Sequence, residues 1–180
     1  MSIKKQLYSS IFWVYLRIIF ITYIICKKTP KDDSKIFCIG LNKTGTTSLH
    51  HAFEILGFKS IHWRDNPTTT IKHEILKNYL KRKDIITGYH HYDAFSDWDL
   101  MGSSQYIFKE FETQYPNSYF IINIRNKEDW LQSRENHNIR VHNLHPDQVE
   151  VKIDRSSWIK QYDLHYEEIF KYFEKKKKNI

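Results

Sequence analysis

The chain has 180 residues, 41% of them hydrophobic, which suits one domain with a buried core plus appendages. Its formal charge of +7 sits at the ends: residues 36–174 carry 17 Lys+Arg against 19 Asp+Glu, and the surplus lies at Lys4, Lys5, Arg17, Lys27, Lys28, Lys31, Lys35 and Lys175 to Lys178. Basic tails around a near-neutral body make no groove-sized basic face, so nucleic acid is discounted as the natural partner, and the many aromatics read as core.

The first element is the apolar run over residues 7–26, the length that spans a bilayer as a helix. Lys4-Lys5 and Lys27-Lys28 bracket it, and Tyr8, Trp13 and Tyr23 suit the two interfaces. Arg17 near the middle costs about 2.5–3.5 kcal/mol, which the surrounding Ile, Leu, Val and Phe offset at about 0.3–0.6 kcal/mol each. An amphipathic helix lying in the interface is the competing arrangement. A cleavable signal peptide fits worse, because the run is long and no small-x-small site follows. The sequence therefore predicts a basic N-terminus (1–6), a single-pass membrane anchor (7–26), a linker (27–34), a domain over 35–174 and a basic tail (175–180). Cys26 at the membrane edge is a candidate for acylation.

Next comes a strand over 36–40, short, apolar and containing Cys38, which reads as core. It runs into a polar loop between Gly40 and Gly45. A helix over 46–57 follows, with Leu49, Ala52, Phe53 and Leu56 at helical spacing and Gly57 as its C-cap. Strand, tight loop and helix N-terminus together hold phosphate, because free backbone N–H groups and the positive end of the helix dipole converge on one anion. A Walker A loop places its Lys after the second Gly. Here Thr46 and Thr47 stand there, and the Lys has moved forward to Lys43.

Further strands are expected near 59–63, 85–88 and 119–124, with helices near 72–82, 103–115, 127–137 and 156–174. Pro67 to Thr70 and the His/Asn-rich span 136–148 read as loops, the second as part of a substrate mouth. The expected fold is α/β: a three-layer P-loop-type domain with a central, mostly parallel sheet, preceded by an N-terminal hydrophobic helix. Arg125 ends a strand, so it faces the same sheet edge as Lys43. His73, His137, His142 and His145 lack ligand spacing, and no metal is expected.

The segment Lys43-Thr44-Gly45-Thr46-Thr47 resembles the 5′-phosphosulfate loop of sulfotransferases that use 3′-phosphoadenosine 5′-phosphosulfate (PAPS). Arg125 and Ser133 resemble that family's 3′-phosphate pair, an Arg at a strand end and a Ser eight positions on. Tyr92-Asp93-Ala94 with Asp97, His62, and Trp158 to Phe173 are similar to further segments of its single-domain members, so the resemblance covers about residues 35–173.

The resemblance implies transfer of a sulfuryl group from PAPS, as co-substrate and without a metal, to an acceptor hydroxyl or amine. Lys43 would neutralise the bridging oxygen as 3′-phosphoadenosine 5′-phosphate (PAP) leaves. Thr44, Gly45, Thr46, Thr47 and Ser48 would hold the 5′-phosphate, and Arg125 and Ser133 the 3′-phosphate. The general base is expected among His90, His91 and Asp93, with the His90–Asp93 group favoured and His62 and Glu54 behind them, since a His titrates near neutrality and a carboxylate orients it. An anchored domain of this kind resembles the Golgi type II arrangement. The family usually continues with a further strand and a C-terminal segment where this chain has its lysine run, which leaves a degenerate, non-catalytic relative as an alternative. A P-loop nucleotide kinase is the other, disfavoured by the missing Lys after Gly45.

Overall fold

The computed structural model describes residues 34–98, 104–147 and 151–176. The expected anchor over 7–26 lies outside them. Among the described residues no helix is long and apolar enough to cross a membrane.

Among the described residues, nine elements follow one another: β1 (Ile36–Cys38), α1 (Thr46–Ile55), β2 (Ser60–His62), α2 (Ile71–Leu80), β3 (Ala94–Ser96), α3 (Ser104–Gln114), β4 (Tyr119–Ile121), α4 (Lys127–Leu144) and α5 (Arg155–Lys176). The strands are three residues long and form one sheet in the order β2-β3-β1-β4, every pairing parallel. Connections from β1 lead first to one side of the sheet and later, at β4, to the other. The crevice at the carboxyl end of β1 is where such a sheet receives a ligand.

Because side chains alternate across a strand, β1 feeds two cores. Ile36 and Cys38 pack with Ala94 against Leu49 and Phe53 of α1. Phe37 and Ile39 face the other way, into a larger cluster with Phe95, Ile71 and Ile75 of α2, Phe108 and Phe111 of α3, and Ile169 and Phe173 of α5. Phe37 stacks on Phe111 at 4.2 Å between centroids and meets Phe95 at 5.3 Å. The Cys38 thiol is pushed up to about 12 by complete burial, as befits a core position. A third cluster, Leu41 with Trp130, Leu131, Trp158 and Tyr166, ties α4 to α5 beside the first loop. Arg134 is buried there with its guanidinium 5.1 Å from the Trp130 ring centre and 4.7 Å from that of Trp158.

Two expectations are corrected. Residues 85–88 are a turn, not a strand: Thr87 N–H bonds Asp84 C=O, Tyr89 N–H bonds Ile86 C=O, and Gly88 has φ of 91°. Ile85 and Ile86 are fully buried, so their apolar character serves as a plug into the larger core rather than as a ladder. The third strand is Ala94–Ser96. The span expected to be a loop from 136 is largely helix, because α4 continues to Leu144. Glu128 and Glu135 of α4 both bind Arg155 at the start of α5, which supports a run of weak helix formers from outside.

Replacing Phe37 by Ala removes the ring that joins β1 to α3 from a site with no exposure. Urea unfolding should report a loss of about 3–5 kcal/mol.

Candidate functional site

The loop after β1 is shaped from below by Asn123, two residues past β4. The Gly40 N–H donates to Asn123 Oδ1 at 3.2 Å, and Asn123 Nδ2 donates to Thr44 Oγ1, whose own hydroxyl donates to Leu41 C=O. A Cβ on residue 40 would stand 2.2 Å from Asn123 O, so only Gly fits. Lys43 and Gly45 take left-handed backbone conformations, φ 62° and 96°, and fold the chain over before α1 begins. Around it, Trp130 Nε1–H donates to Asn42 C=O at 2.8 Å, and Tyr166 O–H donates to Asn123 C=O at 2.9 Å.

Helix α1 starts at this loop with Gly45 at its N-cap and no side chain capping it. Helix α4, by contrast, is capped by Asn126, whose side chain accepts from the Glu128 and Asp129 N–H groups. An uncapped first turn leaves backbone donors for an anion. Lys43 Nζ reaches over the loop to within 3.0 Å of His137 Nδ1, and Arg125 donates to Lys43 C=O at 3.2 Å. Burial holds the Lys43 ammonium below its ordinary pKa, with Asp97 opposing that shift and Arg140 adding to it.

A cleft of about 980 Å³ opens above the loop. Of the expected residues, Lys43, Gly45, Thr46, Thr47, Arg125 and Ser133 line it, so the two phosphate segments meet in one space. Thr44 is buried beneath the loop, with its hydroxyl committed to the loop's own shape. Ser48 is exposed on the first turn of α1, away from the lining residues.

The expected base is not there. His90 and Asp93 precede β3, so a parallel sheet puts them at the edge opposite the loop. His90 Nε2 lies 3.2 Å from Asp84, and Asp93 accepts the Lys59 N–H at 2.8 Å. The buried Lys35 ammonium donates to the His90 and Tyr92 carbonyls at 2.7 and 2.8 Å, which fixes the segment structurally. The cause is the misplaced strand: with β3 at 94–96 instead of 85–88, these residues change ends. His91 packs against Tyr92, and Glu54 faces solvent on α1.

His62, which ends β2, and Asp97, which follows β3, occupy the correct edge. His62 Nε2 is 3.2 Å from Thr46 Oγ1, 3.4 Å from Thr47 Oγ1 and 3.7 Å from Asp97 Oδ2. Burial first, then His50, His51 and Lys43, push the His62 pKa down to about 4, so its imidazole is neutral at ordinary pH. Asp97, His137 and Arg140 also line the cleft. His137 and Arg140 fall in the span expected at the substrate mouth, though neither was singled out, and His137 stands one helical turn after Ser133.

The sheet order, the loop geometry and the uncapped α1 define a P-loop-type α/β domain with free backbone donors and two cationic side chains on one cleft. The sequence profile of the sulfotransferase domain family matches residues 35–179, four-fifths of the chain, and the protein belongs to that family. No curated protein matches it.

Substituting Gly40 by Ala drives a methyl group into Asn123 and should cost about 1–3 kcal/mol in chemical denaturation. Thr47→Ala on the exposed side of the same loop should stay within about 0.5 kcal/mol of the parent.

Proposed function

We propose that the protein is a PAPS-dependent sulfotransferase that moves a sulfuryl group to an acceptor hydroxyl or amine. The observation that carries this reading is the uncapped N-terminus of α1, crossed by Lys43 and faced by Arg125 in one cleft. Family membership supports transferase chemistry, and the loop resembles the one that takes PAPS.

The residues present fit that nucleotide. The first-turn amides of α1 and the Thr46 and Thr47 hydroxyls hold the 5′-phosphate, and Arg125 and Ser133 grip the 3′-phosphate. Lys43 then leaves His137 and neutralises the charge that develops on the bridging oxygen as PAP departs. Preorganised cations of this kind supply most of the catalysis in such a transfer.

His62 takes the acceptor proton. It is a neutral imidazole, free to accept a proton, facing Thr46 and Thr47 with the Asp97 carboxylate 3.7 Å away. Trp63 and Lys72 on one wall and Lys152 on the other flank the space left for the acceptor. The apolar run over 7–26 supports a single-pass membrane location, a Golgi type II arrangement if the source is eukaryotic.

Transfer from radiolabelled PAPS to water or to a panel of acceptors tests the assignment. His62→Ala should slow turnover about 10²–10⁴-fold, the usual contribution of a general base. His90→Ala should leave turnover unchanged. Equal losses in both variants, or no turnover by the parent protein, would contradict the proposal.

A further inference from the structure

On the outer side of α1, one nitrogen from each of His50 and His51 and one Glu54 oxygen all lie within 4.8 Å of one another. Glu54 Oε2 is 3.6 Å from His50 Nε2 and 3.2 Å from His51 Nδ1. His50 and Glu54 are one helical turn apart on a single face, and the carboxylate lies close to both rings. We propose that His50, His51 and Glu54 bind a divalent d-block cation of the Zn²⁺, Co²⁺ or Ni²⁺ type.

The second feature that points to a metal is the partner of the far ring nitrogen. His50 Nδ1 is 2.9 Å from the hydroxyl of Ser60, the first residue of β2. With Nδ1–H donating to that oxygen, the lone pair of Nε2 is turned towards Glu54. Metal-ligating imidazoles are characteristically held this way by a second polar group that sets tautomer and ring angle. The His50 ring is also fixed on its face by His62, with centroids 5.5 Å apart and planes at 27°.

Two imidazoles and one carboxylate select among ions. Mg²⁺ and Ca²⁺ prefer shells of oxygen alone, whereas an N₂O set suits the later first-row divalent ions, with water completing a tetrahedron. His51 and Glu54 side chains are 64% and 51% exposed, so an ion has direct access. The bound ion would tie α1 through His50 and Ser60 to the start of β2. It takes no part in sulfuryl transfer, so the proposal stands or falls apart from the assignment of the cleft.

Co²⁺ titration of the full-length chain, followed by visible d–d absorption, tests it directly. A saturable one-to-one signal is expected, lost in Glu54→Gln and in His51→Ala, both exposed enough to leave the fold intact by circular dichroism. Ser60→Ala should weaken the apparent affinity by about tenfold or more, as expected for a group that only orients a ligand. His73→Ala, on α2, should change nothing. No signal with the parent chain, a signal that survives both ligand variants, or one that depends on His73 would overturn the proposal.

Discussion

The loop after β1 depends on one amide side chain. Asn123 accepts from the Gly40 backbone and donates to Thr44, so it ties the exit of β1 to the middle of the loop across two adjacent strands. Its backbone oxygen fills the space above Gly40, which explains why that position admits no side chain. With the loop ends fixed, the left-handed turns at Lys43 and Gly45 can be held without any ligand, and the first turn of α1 arrives with its donors free. Arg125 follows two residues after Asn123, so the segment that shapes the loop also brings a guanidinium onto the Lys43 carbonyl.

Long-range packing then keeps this edge of the sheet rigid. Helix α5 reaches back in sequence to place Tyr166 on the Asn123 carbonyl and, across more than a hundred residues, His165 on the Ile39 carbonyl at 2.8 Å. Helix α4 buries Trp130 and Arg134 beside the loop and carries Ser133, His137 and Arg140 into the cleft. The floor is therefore specified by buried side chains from β4, α4 and α5. Above it the Lys43 ammonium lies against His137, at 3.0 Å from Nδ1.

The loop and Arg125 were legible in the sequence because their signals are local. A β-branched run, two glycines at fixed spacing and a helical apolar stripe need no tertiary context. The placement of His90–Asp93 was not legible for the converse reason. Ala94-Phe95-Ser96 is too short for its alternation to register, while Ile85 and Ile86 imitate a strand and are in fact a buried turn held by neighbouring helices. In a parallel sheet, moving a strand by a few residues exchanges which flanking residues face the ligand edge. His90–Asp93 left that edge and Asp97 came to it on that account, while His62 stayed at the end of β2. The far half of α4 was hidden likewise, since Asn and His are weak helix formers and its contact with the later chain, Asn138 Nδ2 donating to the Lys152 carbonyl, is tertiary.

The most direct measurement is PAP binding to the full-length protein by calorimetry, with Lys43→Ala and Arg125→Ala alongside. Each variant removes one charge-assisted contact of about 1.5–3 kcal/mol, so affinity should fall about 10–100-fold in both. A folded protein that does not bind PAP, or one whose affinity ignores both substitutions, would contradict the two-segment nucleotide site.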